Sequence, residues 1–240
     1  GTGGGFSIRT KVMGEEKLYG AEKVVAAIGD LHRPRRVGIH GEDLAHVSHY
    51  FRDPHEYFGR RVVIVGGRNS AVEAAIRCWR VGAKVTISHR RAEFDPERIK
   101  YWLLPEIKHL IKAKQIAYHP LTVPRDISPT AVTLVPATGG EPFEVGADAV
   151  LLLTGYEMDG SLLERAGVDL VGEQRAPRFD FQTMETNVPG LFVAGTAAAG
   201  TQVRFKLFIE NCHVHAERIV AALTGRNAGA EEPKYTMPES

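Results

Sequence analysis

Cysteine is scarce in this sequence, and its scarcity excludes several classes of protein. The chain of 240 residues contains two cysteines, Cys78 and Cys212. They lie far apart and form no Cys-x-x-Cys pair, so a disulfide framework cannot hold the fold. No cysteine, histidine and carboxylate cluster has ligand spacing, so we expect no metal site. Free thiols suit a reducing compartment, and we expect a cytoplasmic location.

An excess of one charge sign is also absent, as is a long apolar run. The 30 basic and 29 acidic residues nearly cancel, which leaves no field to select a nucleic acid or a membrane surface. No run approaches the roughly 18 apolar residues of a membrane-spanning helix, and no signal peptide opens the chain. We therefore expect neither a nucleic acid nor a membrane as a partner. Because the first residue is Gly1, we expect the chain to be a piece of a longer protein.

What the sequence does contain is a predicted βαβ unit at residues 61–91. A β-branched run without a polar break is typical of a strand buried on both faces. Such a strand, followed by a glycine turn, a helix and a second strand, is the smallest unit that binds a dinucleotide. The parts are a strand at residues 62–65, a turn at Gly66 and Gly67, a helix at residues 69–81 ended by Gly82, and a strand at residues 84–88.

The glycine turn has three positions with separate requirements. The first must bend tightly, the second must let a pyrophosphate approach the backbone, and the third must be small so that helix and strand pack. These positions are Gly66, Arg68 and Ala71. Arg68 departs from the pattern, and it either crowds the phosphates or grips them with its guanidinium. A loop that binds no ligand is the alternative for this segment.

The end of the second strand indicates which dinucleotide is preferred. An NAD site has an acidic residue here to bond the ribose 2′-hydroxyl. This chain has His89, Arg90 and Arg91 instead. Arginines attract a 2′-phosphate through charge-assisted hydrogen bonds, whereas a carboxylate would repel it. The sequence therefore predicts NADP(H); a solvated basic strand end is the alternative.

Two further apolar strands end in glycine outside the βαβ unit. One ends at Gly29 and the other at Gly195, which begins a loop of small residues at 197–200. Such a loop lets another group approach the backbone closely. For the first strand, the pattern alone favours a buried strand without a ligand.

Three other segments carry weaker predictions. Residues 43–59 are rich in aromatics and histidine, and we expect a surface linker there. The pattern at residues 97–114 predicts a helix that is interrupted at Pro105. Near its start, Tyr101 and Trp102 are expected to be core aromatics rather than a ligand platform.

Taken together, these motifs resemble a known family. The order of segments is similar to that of the low-molecular-weight thioredoxin-reductase-like flavoproteins, in the pyridine nucleotide-disulfide oxidoreductase superfamily, over residues up to about 225. Four segments most resemble the bacillithiol-disulfide reductase branch. The superfamily segments are residues 27–29, 66–71, 89–91 and 186–195, and the branch segments are residues 46–50, 100–102, 197–201 and 208–211.

The resemblance implies an α/β fold in which a Rossmann-type NADPH-binding domain is inserted between two segments of a FAD-binding α/β domain. The FAD domain is expected to be partial, lacking its first βαβ unit, so that this chain is the carboxyl-terminal portion of a longer enzyme. The implied divisions are a FAD segment at residues 1–53 (β-meander and core strand), the NADPH domain at 54–155, a second FAD segment at 156–228 and a loose tail at 229–240.

The resemblance also implies two cofactors and their binding residues. NADPH would contact Gly66, Gly67, Arg68, Asn69, Ser70, His89, Arg90 and Arg91. FAD would contact Gly29, Gly195, Thr196 and Ala197. Thr196 stands where thioredoxin reductases have an aspartate, although the bacillithiol branch also lacks it.

The implied activity is hydride transfer from NADPH to flavin, followed by reduction of a low-molecular-weight disulfide of the bacillithiol type. Catalytic residues are not identified, because the chain has no dithiol to relay electrons. A small redox protein is the other acceptor considered, as in ferredoxin– or flavodoxin–NADP reductases, and a truncated, non-catalytic nucleotide-binding module is a third possibility. A homo-oligomer is compatible with the sequence.

Overall fold

The structure is a computed structural model that describes residues 5–202 and 207–225. The chain divides into two compact units. The central unit is Pro34–Gly155, and the flanking unit contains the chain up to Arg33 and from Tyr156 onward. The tail predicted at residues 229–240 lies outside the described residues.

The helices and strands are numbered in chain order. They are β1 (Phe6–Val12), β2 (Glu15–Ala21), β3 (Val24–Ala26), β4 (Arg33–Pro34), β5 (Val47–Ser48), β6 (Arg61–Val65), α1 (Asn69–Arg80), β7 (Lys84–His89), α2 (Leu103–Lys112), β8 (Ala117–Pro120), β9 (Thr122–Ile127), β10 (Ala131–Pro136), β11 (Phe143–Gly146), β12 (Ala149–Leu152), β13 (Tyr156–Glu157), α3 (Ser161–Arg165), β14 (Leu170–Val171), β15 (Ala176–Pro177), β16 (Leu191–Val193) and α4 (His213–Thr224). None of these helices is long and apolar enough to cross a bilayer.

A five-stranded parallel sheet forms the middle of the central unit, in the order β5-β12-β6-β7-β8. Its strand β6 is buried on both faces, which explains the unbroken β-branched run. Val62 and Ile64 pack into a core with α1 and α2, whereas Val63 and Val65 face a second core. The antiparallel sheet β11-β10-β9 contributes Ile127, Val132 and Leu134 to that second core.

The order of the strands creates a crevice beside β6. The chain passes from β6 through α1 to β7 on one side, while β12 pairs with β6 on the other side. The chain therefore continues from β6 toward β7 and β8, and it reaches the opposite side of β6 only later, with β12. In open parallel sheets, ligands bind at such a switch point.

The first domain boundary differs from the prediction, which had it after residue 53 instead of after Arg33. Residues 34–53 belong to the central unit because β5 extends its parallel sheet, with Val47 opposite Val150. Residues 43–59 lie at the surface, as expected, but they are part of the central unit and not a linker, and Tyr57 is buried in the core with α1. The second boundary of the central unit lies after Gly155.

Helix α2 is shorter than predicted. It begins at Leu103, after a separate 3₁₀ turn at Pro96–Arg98. Pro105 lies in its first turn, where the missing N–H costs no hydrogen bond, so the helix is not interrupted there. Tyr101 and Trp102 are not core residues: 66% and 41% of their surfaces are exposed. Ile107 and Leu110 of α2 fill the core instead.

The flanking unit contains the antiparallel hairpin of β1 and β2 in the segment predicted as a β-meander, and the predicted core strand β3. β3 pairs in parallel with β16, with Ala26 opposite Val193. Helix α4 begins at His213, after a 3₁₀ turn at Ile209–Asn211. It ends at Gly225, where the backbone is left-handed.

Candidate functional site: an arginine-lined cleft in the central unit

The turn after β6 has no space for side chains at its two glycines. A Cβ on Gly66 would lie 2.6 Å from the carbonyl oxygen of Leu153 and 2.9 Å from Cβ of Ala71, at a φ of +150°. A Cβ on Gly67 would overlap the imidazole ring of His89. The turn therefore brings β6, β12 and the start of α1 together through bare backbone. Ala71 is itself buried, as the requirement for a small third residue predicts.

The first turn of α1 begins directly after these glycines. Arg68 is its N-cap residue, with an extended backbone and no side-chain hydrogen bond to the helix. The first N–H groups of a helix have no partner within the helix, and its dipole favours an anion there. The Oδ1 atom of Asn69 accepts a hydrogen bond from the backbone N–H of Lys100 at 2.7 Å. That bond ties the helix start to the segment before α2.

A cleft of about 270 Å³ opens beside this turn, lined entirely by residues of the central unit. Six arginines line it together with one carboxylate, Asp95. The arginines are Arg35, Arg36, Arg68, Arg90, Arg91 and Arg98. Gly66, Gly67 and His89 also line the cleft, whereas Asn69 and Ser70 do not. The structure thus brings six of the eight residues predicted for NADPH into one cleft.

Positive charge in the cleft is only partly balanced by the protein. Burial lowers the pKa of the Arg68 guanidinium, and repulsion from Arg98, Arg90, Arg35 and Arg91 lowers it further. Among the described residues, none forms a hydrogen bond or an ion pair with the side chain of Arg68. A buried or half-buried charge without a counter-ion is costly, so the cleft suits an anionic ligand.

His89 has a different environment from the two arginines that follow it. It is buried, its ring stacks on Phe94 with centroids 5.3 Å apart, and Nδ1 lies 3.0 Å from the Tyr118 hydroxyl. Burial lowers its pKa, and Arg91 and Arg90 lower it further, which favours the uncharged ring. His89 therefore supports the Gly67 turn with an uncharged ring, while Arg90 and Arg91 are exposed.

In the flanking unit, the residues predicted for FAD converge at the end of a strand pair. β3 and β16 run in parallel, so Gly29 and Gly195 follow their carboxyl ends at the same edge. A Cβ on Gly29 would lie 3.9 Å from Oγ1 of Thr196. A Cβ on Gly195 would meet no other atom within 4 Å, so that side of its backbone faces open space. Ala197 is completely buried, so its side chain belongs to the core.

The loop after β16 is held by side chains that the sequence did not single out. The N–H of Gly195 donates to Nδ1 of His215 on α4, at 3.1 Å. Because Nδ1 accepts this bond, the proton of the neutral ring lies on Nε2. Burial lowers the pKa of His215, and Arg218 and His213 lower it further. The amide of Gln202 donates to Asp30 at 2.9 Å, next to Gly29.

Neither cysteine has the environment of a reactive thiol. Cys78 lies in the core under α1, where burial raises its pKa to about 12. Cys212 is half-buried, and burial together with Asp30 and Glu210 raises its pKa. Thiolates, and not thiols, are the nucleophiles in disulfide exchange. The two thiols in this chain are therefore both poorly suited to exchange.

The sequence and the structure both match known proteins. Residues 2–195 match the family described as pyridine nucleotide-disulphide oxidoreductase. The bacilliredoxin reductase Bdr of Bacillus subtilis is 37% identical over 213 residues, which are 88% of this chain and 64% of that protein. The bacillithiol disulfide reductase Bdr of Bacillus cereus is 35% identical, with a TM-score of 0.85 over 92% of this chain and 67% of that chain.

A second class of relative matches less of the chain. A ferredoxin–NADP reductase of Ignicoccus hospitalis is 33% identical over 182 residues, which are 74% of this chain and 56% of that protein. The chain therefore spans less than two thirds of the length of these curated relatives.

Proposed function

Because the chain belongs to the pyridine nucleotide-disulphide oxidoreductase family, we propose that it is part of an NADPH-dependent flavoprotein that reduces a low-molecular-weight disulfide of the bacillithiol type. The observation that carries this proposal is the arginine-lined cleft beside the glycine turn of the central unit. The relatives named for bacillithiol disulfide or bacilliredoxin reduction support the choice of acceptor.

NADPH would occupy the cleft through contacts to its three phosphates. The pyrophosphate would lie against Gly66, Gly67 and the first N–H groups of α1, where the backbone is bare and the helix dipole favours an anion. The 2′-phosphate would be bound by Arg90 and Arg91, which follow β7 on the same edge of the sheet. Arg68 follows Gly67 directly in the chain and would add a bidentate contact to the pyrophosphate.

FAD is the second cofactor of the proposal. Gly29, Gly195 and Thr196 would hold it, since the strand ends they follow are adjacent and Gly195 faces open space. When bound, the flavin would accept a hydride from NADPH and pass the electron pair to the disulfide. His215 would fix the backbone N–H of Gly195 and so keep the loop after β16 in place.

The state of the cysteines favours an acceptor that reacts without a dithiol relay in this chain. Cys78 is buried and Cys212 stands alone, so no pair of thiols here can store two electrons. Electrons would pass to an external small disulfide, or through a cysteine in a segment outside this chain. We also propose a cytoplasmic location, since free thiols persist in a reducing compartment.

A ferredoxin–NADP reductase is the second candidate, favoured by the Ignicoccus relative and by the lack of a dithiol. The two candidates differ only in their acceptors. With FAD and NADPH supplied, oxidation of NADPH should be followed at 340 nm with oxidised bacillithiol, glutathione disulfide or ferredoxin as acceptor. Turnover with oxidised bacillithiol alone supports the proposal, whereas turnover with ferredoxin alone supports the second candidate.

The test must also address the possibility that this chain only binds a nucleotide. Calorimetric titration with NADP⁺ and NAD⁺ measures binding independently of turnover. Preferential binding of NADP⁺ without any turnover would indicate a non-catalytic module. Absence of NADP⁺ binding would contradict the proposal at its first step.

A further inference from the structure

Asp95 is the single carboxylate among the described residues that line the cleft. Its two oxygen atoms have different partners. Oδ1 accepts a hydrogen bond from the backbone N–H of Glu97 at 3.1 Å and so caps the 3₁₀ turn. Oδ2 lies 3.0 Å from Nε of Arg98 and 3.5 Å from Nη1 of Arg91. One oxygen thus shapes the loop while the other holds two of the cleft's arginines.

The two ion pairs differ in how easily they separate. The side chains of Arg98 and Asp95 are 20% and 27% exposed, and their contact is short. The side chain of Arg91 is 49% exposed, and its contact with Asp95 is long. Exposed ion pairs four residues apart contribute little stability. A phosphate that enters the cleft can therefore take Arg91 from Asp95, but it must do so against the negative charge of the carboxylate.

We propose that Asp95 is a positioning residue that limits how strongly the cleft prefers a 2′-phosphorylated nucleotide over an unphosphorylated one. It acts through Arg91 and Arg98, whose guanidinium groups it partly neutralises. The carboxylate also repels the 2′-phosphate directly, but it does not repel a ribose 2′-hydroxyl. This inference rests on the proposed nucleotide function of the cleft.

The substitution Asp95→Asn tests it. Asparagine keeps an oxygen that can cap the 3₁₀ turn, and it is a favourable capping residue. It removes the charge at Oδ2 and releases both arginines. We expect the binding constant of adenosine 2′,5′-bisphosphate, divided by that of adenosine 5′-monophosphate, to rise about three- to tenfold. The two probes differ only in the 2′-phosphate, and calorimetric titration requires neither flavin nor turnover.

Two variants control for other effects. Glu97→Gln removes the same charge from the same turn, at an exposed side chain outside the cleft, and the ratio should stay within about twofold of the unmodified chain. Asp95→Glu restores the charge and should return the ratio toward its original value. A role in folding alone would change both probes equally and leave the ratio constant.

The outcomes separate this inference from the proposed function. A ratio well above one in the unmodified chain that rises in Asp95→Asn, but not in Glu97→Gln, supports the inference. The same starting ratio with no rise, or a fall, in Asp95→Asn overturns the inference and leaves the NADPH site intact. A starting ratio near one overturns both, because the arginines would then not bind a 2′-phosphate.

Discussion

Replacing Arg68 with glycine would restore the common dinucleotide-binding pattern and would show what the arginine does. A guanidinium and a phosphate oxygen about 4 Å apart attract each other by about 4 kcal/mol at an effective dielectric constant of 20. Partial exposure screens this attraction, and the repulsion of Arg68 from Arg98 and Arg90 offsets a further part. We therefore expect Arg68→Gly to weaken NADP⁺ binding by about 1–2 kcal/mol, or about five- to thirtyfold.

The assay for this prediction is calorimetric titration with NADP⁺ at two salt concentrations. Loss of a cation–phosphate contact should reduce the salt dependence as well as the affinity. Arg68→Lys keeps the charge without the planar fork, so its affinity should be intermediate. Lys112→Gln removes a positive charge from an exposed position at the end of α2, outside the cleft, and should change little. Tighter binding by Arg68→Gly would refute the reasoning and show that the arginine obstructs the phosphates.

Three other predictions follow from the same structure. Replacing both Arg90 and Arg91 with alanine should reduce the preference for NADP⁺ over NAD⁺ at least about tenfold in titrations, because each removes a charge-assisted contact to the 2′-phosphate; an unchanged preference would exclude them from that site. Cys78, with a pKa of about 12, should resist alkylation by iodoacetamide at pH 8 until the protein unfolds, and mass spectrometry of the folded chain would detect a contrary result. The pKa of His215 is lowered in the folded state, so the unfolded chain binds more protons and stability should fall as the pH drops through about 6.5. In His215→Gln, which can still accept from Gly195, urea unfolding at pH 7.5 and 5.5 should show a smaller loss, and an equal loss would assign the effect to other groups.

The βαβ unit could be predicted because its signals are local. An unbroken apolar run specifies a strand buried on both faces, and glycines mark the positions where strand, helix and backbone come closest. The helix prediction at residues 69–81 matches α1 (Asn69–Arg80) closely for the same reason. Its buried face consists of small and branched apolar residues at helical spacing. Near Pro96 and Pro105 the local signal was misleading, because polar turns and helix starts share residue types.

The burial of the His89 ring was predictable in principle from the alternation of side chains along β7. Side chains two positions apart in a strand point to the same face. Val85 and Ile87 lie in the core with α1, so His89 points toward that core as well. A histidine next to two arginines was predicted to contact the 2′-phosphate, although the strand period favours an inward ring. The contact with Gly67 then explains why that position has no side chain.

The remaining charge of the cleft depends on contacts that no local pattern contains. Arg35 reaches it because its backbone N–H donates to Gly155 at 2.8 Å and its carbonyl accepts from the Thr154 hydroxyl at 2.7 Å. Those residues follow β12, which lies beside β6 only because of the strand order. Arg98 enters from the 3₁₀ turn after β7. The βαβ segment alone therefore predicts the kind of anion that would be bound, whereas the number of arginines that line the cleft depends on residues outside that segment.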